Sequence, residues 1–278
     1  MENLLRALVF DNQVSLTLAN TTKIVEEGRR LHELSNSATK TFGKALSAMV
    51  FMSACLKEKS GEISLSLQGS GTGGNMGISG NQALLIRGYI ENPACEGEEK
   101  EVLGDLGALT IIRDDGYNRP FVGSCAYQGE TGIDGAFETY FSKSEQLPTY
   151  IKTAVQTKEN GEVVFSGVVA LQPLPFASEE TLEKVKNAPL EEVLKSLKTQ
   201  SIAQTATKYF SSLREAEQMR FAQYKCNCSR DYLSRVIVTL GKTQAENIVK
   251  EDGAIKVHCH YCNSNYTFTQ NDLNELFE

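Results

Sequence analysis

Two short thiol pairs near the C-terminus, Cys226-Asn227-Cys228 and Cys259-His260-Tyr261-Cys262, limit what this chain can fold into more than any other feature. They hold four of its seven cysteines and are separated by Ser229 to His258. Two close pairs joined by a loop are the usual way to build a tetrahedral four-thiolate zinc site. Each pair brings two sulfurs together at little entropic cost, and the loop brings the pairs together. Cys226, Cys228, Cys259 and Cys262 are therefore the candidate ligands of one zinc ion.

The first pair is C-x-C, where structural zinc modules favour two or more intervening residues. One intervening residue makes a cramped chelate, and it leaves two thiols able to close on each other with little backbone movement. Such a small-ring disulfide is strained and comparatively easy to reduce again. Zinc with four thiolates carries a charge of about minus two, which keeps the sulfurs nucleophilic towards peroxide or hypochlorous acid. The residues leave two uses open, a structural zinc ribbon and a redox switch.

Other thiols and histidines add less. His260 sits inside the second knuckle, where its ring points away from a metal held by the flanking sulfurs. It and His258 are expected to lend partial positive charge to the thiolates rather than to ligate. Cys55, Cys95 and Cys125 fall in apolar surroundings and read as small buried hydrophobes. The C-x2-C pair also has the spacing of a thiol oxidoreductase, but that chemistry sets it at a helix N-terminus within a βαβ unit, and only a short tail follows Cys262. His32, the one histidine outside this region, lies on a charged helix, so no Ser/His/Asp arrangement is available and the chain is not expected to be an enzyme.

The stretch up to 177 alternates between two periodicities. Val14 to Ala19 reads as a half-buried strand, Thr22 to Leu34 and a run from Ser37 as helices, and Ile63, Leu65 and Leu67 as the inward face of another strand. Further strands are expected at 83–90, 108–113, 121–128, 150–157 and 163–171, with a helix over 133–146 and a hairpin turn at Asn160-Gly161. Hairpin strands with helices set apart predict an α+β fold. Gly69-Ser70-Gly71-Thr72-Gly73-Gly74 matches G-x-G-x-x-G but leads to another strand instead of a helix, so it is expected to be a hairpin loop.

After Pro173-Leu174-Pro175 the composition changes. Residues 178–222 are densely charged, with acidic and basic side chains in equal number, and predict a helix from Ser178 and another from Pro189. Leu190, Val193, Leu194 and Leu197 give the second helix one apolar edge, too narrow to be buried by the segment itself, so it must lean on a neighbour. It reads either as a conditional linker or as an ordinary helical connector. Residues 223–278 form the third expected domain: a strand into Cys226, a helix capped by Ser229, a second helix carrying Ile248 and Val249, a strand into Cys259, and a last helix opened by Thr269 and Asp272. With few apolar residues, this module is expected to need zinc to fold.

Composition narrows the function classes. The net charge of −7 gives no basic field to draw nucleic acid. No apolar run approaches a membrane span and Met1-Glu2-Asn3 lacks a basic leader, so a cytoplasmic protein with no membrane partner is expected.

Cys226-Asn227-Cys228-Ser229 and His258-Cys259-His260-Tyr261-Cys262 together resemble the 33 kDa chaperonin family, the redox-regulated heat-shock holdases of bacteria. Arg87 to Pro93, Gly123-Ser124 and Tyr140 to Pro148 extend the resemblance over essentially the whole chain, and in the family a Phe more often stands near Tyr224. The resemblance implies an inactive reduced form that holds zinc. It implies oxidation to the disulfides Cys226-Cys228 and Cys259-Cys262 with zinc release, loosening of module and linker, capture of unfolding proteins without ATP, and a homodimer when active.

Overall fold

The computed structural model describes residues 2–210 and 214–277. Met1, residues 211–213 and Glu278, which fall in the stretches expected at 1–177, 178–222 and 223–278, lie outside the described residues. The described chain divides into two compact units, Met1–Tyr224 and Lys225–Glu278.

Antiparallel strand pairs with helices set between them make the first unit α+β, as expected. One antiparallel sheet contains β1 (Leu4–Val9), β2 (Val14–Asn20), β8 (Tyr150–Thr157), β9 (Val163–Pro173) and β10 (Arg214–Arg220), in the order β10-β1-β2-β9-β8. A second contains β3 (Glu62–Gly69), β4 (Met76–Asn81), β5 (Leu85–Ile90), β6 (Leu106–Asp114), β7 (Phe121–Gln128) and β11 (Gln223–Tyr224), in the order β11-β5-β4-β3-β6-β7. Only β11 runs parallel to its neighbour, β5.

One helix is central to both sheets. α2 (Asn36–Ala54) opens on Ser35, whose hydroxyl accepts from the Ala38 amide at 3.1 Å. It is buried along nearly its whole length, because it touches β8 and β9 of one sheet and β4 and β5 of the other. Phe42, Leu46, Met49 and Phe51 are almost fully buried there, each stabilising the fold by about 1.5–3 kcal/mol through area removed from water. Hydroxyls that fall inside are paired: Thr21 Oγ1 lies 2.7 Å from both Ser47 Oγ and Ser166 Oγ, joining the start of α1 (Thr22–His32) to α2 and β9. Smaller helices α3 (Glu99–Leu103) and α4 (Gly132–Ser144) complete this part.

The glycine-rich run is the β3–β4 hairpin loop. Its amides are already used, Thr72 N donating to Glu101 O at 2.9 Å and Gly73 N to Val102 O at 3.0 Å. A Cβ on Gly71 would stand 2.3 Å from the Gly104 nitrogen, so glycine there permits backbone to pack on backbone.

Helices α5 (Glu179–Lys186), α6 (Leu190–Thr199) and α7 (Ile202–Tyr209) follow β9. Val193, Leu194 and Leu197 of α6, with Ile202, Ala206 and Phe210, pack against Leu5, Leu16, Leu18, Phe165, Val169 and Leu171 of the first sheet. The apolar edge of α6 thus finds its neighbour in a sheet face that is itself apolar.

The second unit contains α8 (Arg230–Leu240), α9 (Lys242–Asp252), the hairpin β12 (Ile255–Cys259) and β13 (Ser264–Phe268), and α10 (Gln270–Leu276). Its buried core, among the described residues, is Ile237, Ala245, Val249, Ile255, Phe268 and Leu273. No helix among the described residues is long and apolar enough to cross a membrane.

Candidate metal centre

Local folding delivers the two thiol pairs. Cys228 immediately precedes Ser229, which caps α8 by accepting from the Tyr232 amide at 3.1 Å, so the first pair approaches the positive end of a helix dipole. Cys259 ends β12, and the chain turns through Asn263, whose φ of 56° suits asparagine, before β13 returns. Cys262 lies in that turn, and the Asn263 amide donates to Cys259 O at 2.8 Å. Arg230 fastens the two halves, its Nη1 donating to Thr267 O at 2.9 Å, its guanidinium 4.4 Å over the Phe268 ring and ion-paired with Asp272.

The four sulfurs all lie within 4.8 Å of one another, and each cysteine is partly buried. The closest approaches run across the pairs, 3.7 Å between Cys226 and Cys259 and 3.1 Å between Cys228 and Cys262. The Cys228 amide points at Cys226 Sγ from 3.5 Å. Four soft donors at this spacing, in the only such group found among the described residues, could hold a metal ion.

As thiols alone, the four divide. Burial pushes Cys226 up, reinforced by Cys259, and burial also raises Cys228. Burial opposes charge on Cys262 too, but hydrogen bonding from Ser264 and Cys228 outweighs it and brings this thiol down to about 7. A bound divalent cation would deprotonate all four.

The structure keeps the histidines out of the cluster. His258 Nδ1 lies 2.9 Å from Asn265 Oδ1, and its ring stands edge to face on His260 with centroids 5.0 Å apart. Far along the chain, His32 ends α1 with Nε2 3.0 Å from the Tyr224 hydroxyl. Cys95 and Cys125 are buried, and Cys55 is half-buried at the end of α2; burial raises all three thiols.

Two groups at the cluster were not foreseen from the sequence. Tyr266 Oη lies 3.3 Å from Cys228 Sγ, and Ser264 Oγ lies 3.3 Å from Cys262 Sγ. The signal that could have found them is the alternation of β13, which puts Ser264, Tyr266 and the buried Phe268 on one face. The sulfur neighbours push the Tyr266 phenol up to about 12, the Cys228 hydrogen bond first among them.

Comparison with known proteins extends over the whole architecture. The Hsp33 protein family matches residues 2–269. The 33 kDa chaperonin of Bacillus cytotoxicus is 32% identical over 99% of this chain and 98% of its own, and that of Bacillus cereus is 31% identical over the same shares. The crystal structure of the 33 kDa chaperonin from Thermotoga maritima superimposes with a TM-score of 0.83 at 27% identity, covering 99% of this chain and 97% of that one. An α+β body followed by a small unit with four gathered thiols, shared end to end with chaperonins, defines the class as chaperone. Within that class, the chain belongs to the Hsp33 protein family.

Proposed function

We propose that this protein is a redox-regulated, ATP-independent holdase of the cytoplasm, silent while its four cysteines are reduced around zinc and active once they are oxidised. The observation that carries the reading is four thiols within 4.8 Å in a unit whose buried core, among the described residues, is six side chains. A tetrahedral zinc centre with Zn–S near 2.3 Å has sulfurs about 3.8 Å apart; the Cys226–Cys259 separation of 3.7 Å meets this, while Cys228 and Cys262, at 3.1 Å, would have to part to admit the ion. Zinc, when bound, keeps the sulfurs ionised and cross-links the unit, and structural zinc contributes roughly 10–16 kcal/mol in small peptides.

Sulfurs joined in disulfides no longer offer the charge that holds a divalent ion. The pairing Cys226-Cys228 and Cys259-Cys262 rests on the short chain separations and on the family resemblance, since the nearest sulfurs in the reduced cluster lie across the pairs. Metal affinity is folding free energy for so small a unit, so oxidation amounts to local unfolding. The segment 178–222 is then the conditional linker. Its α6 and α7 cover Leu16, Leu18, Val169 and Leu171, and release of these helices would present a continuous apolar sheet face to the exposed segments of unfolding proteins. The cysteines act as sensor and not as catalyst, and the active form is taken to be a homodimer. An oxidoreductase reading has less support, because Cys259 ends a strand and Cys262 lies in the turn between antiparallel strands and not at a helix N-terminus.

The test compares the wild type with a variant in which Cys226, Cys228, Cys259 and Cys262 are all serine. Peroxide should induce suppression of client aggregation in the wild type alone. Equal oxidant-induced suppression in both would sink the switch.

A further inference from the structure

The hydroxyls of β13 divide the cluster unequally. Phe268, fully buried, fixes the inward face of the strand, and Tyr266 on the same face rests its ring against the small core. The position is set from the other side by pairing with Val257 of β12. This geometry aims the Tyr266 hydroxyl at Cys228 Sγ, 3.3 Å away. Cys226, the other thiol of that pair, faces the Cys228 amide at a longer 3.5 Å.

A thiolate has no proton to give, so across this contact the phenol is the donor and the sulfur the acceptor. Donation to an anionic acceptor is a charge-assisted bond that draws electron density from the sulfur, and nucleophilic attack must give it up. The two thiols of one C-x-C pair therefore differ in reactivity although they share a metal site.

We propose that Tyr266 is a positioning residue that holds the Cys228 sulfur back from oxidants, so that Cys226 is oxidised first and Cys228 serves as the resolving thiol. The proposal rests on the redox-switch reading of this cluster. In the first step the Cys226 thiolate takes one oxygen of hydrogen peroxide, the O–O bond breaks, and hydroxide leaves a sulfenic acid on Cys226. In the second, the Cys228 thiolate displaces hydroxide from that sulfur and the disulfide forms. Two thiolates supply the two electrons that reduce one peroxide to two hydroxides. By the same logic, Ser264 moderates Cys262 from 3.3 Å.

The experiment uses the full-length zinc-loaded protein, with Tyr266→Phe, which keeps the ring in the core, and Ser264→Ala. Iodoacetamide labelling under limiting reagent, mapped cysteine by cysteine, reads nucleophilicity without any oxidant. Tyr266→Phe should accelerate labelling of Cys228 by about tenfold or more, the scale of one lost charge-assisted hydrogen bond, and leave the other three thiols within about twofold. Ser264→Ala should act on Cys262 alone. A merely structural role for Tyr266 would raise all four rates together, and that result, or no change at Cys228, overturns the proposal. In a second arm, peroxide with a sulfenic-acid trap should mark Cys226 ahead of Cys228 in the wild type and lose that preference in Tyr266→Phe. If wild-type thiols do not react with peroxide at all, the switch reading fails, while labelling still decides the role of Tyr266.

Discussion

Single side chains in the C-terminal unit carry disproportionate weight because the unit has so few of them inside. Asp272 shows how local charge substitutes for core. Its carboxylate accepts from the Thr269 amide at 2.7 Å and hydroxyl at 2.8 Å and pairs with Arg230, and these bonds hold its pKa down to about 2 from 3.8. A depressed carboxylate contributes stability that is complete above its unfolded pKa and lost as pH falls through the folded one. Protection of the α10 amides, measured against their intrinsic exchange rate at each pH, should therefore fall as the pH drops from about 4 to about 2, and Asp272→Asn should abolish that acid limb. Protection in α10 that is flat through this range in the wild type would contradict the assignment. At this scale the sequence was readable for the cysteines and for the Thr269/Asp272 box, because spacing encodes both. Tyr266 was not readable, since a tyrosine in an alternating strand looks the same whether its hydroxyl meets water or sulfur.

Elements were legible where they carry their own periodicity or punctuation. β7 occupies 121–128 as expected, and Ser178, Ser229 and Gly241 mark helix ends where their chemistry predicts. The strands β1 and β10 were not foreseen: β10 is a charged run, REAEQMR, that becomes a strand only by pairing with β1 across the whole length of the first unit. β4 was obscured by its glycines, Gly77 and Gly80. Gly80 faces Ser53 and Met49 of α2 so closely that a Cβ there would stand 2.1 Å from Ser53 Oγ. Segment α6 shows both sides of the lesson, since its apolar edge was evident but its partner sheet was not. Replacing Leu194 and Leu197 with alanine removes two buried anchors, at about 2–5 kcal/mol each. The reduced, zinc-loaded double variant should bind a hydrophobic dye and suppress client aggregation without oxidant. Unchanged dye binding would separate α6 from the covering of the apolar sheet face.

For the molecule as a whole, stability is unevenly distributed. The first unit is built on a helix buried between two sheets, whereas the second has, among the described residues, six buried hydrophobic side chains and four gathered sulfurs. On the proposed reading, a stress that removed a metal held by these cysteines would act on the weaker unit first, and chemistry at four atoms would become a change in folded structure. That asymmetry was visible in the sequence as a contrast between long apolar periodicities and a cysteine-rich tail. The six-stranded sheet order was not, because it depends on long-range pairing such as β11 with β5. The most direct measurement follows zinc release to a chromogenic chelator during peroxide treatment, with suppression of a heat-denatured client's aggregation recorded on the same samples. Zinc loss and suppression should rise together, and a thiol reductant with added zinc should reverse both. Zinc leaving without any suppression would make the centre a structural fastener and contradict the holdase reading.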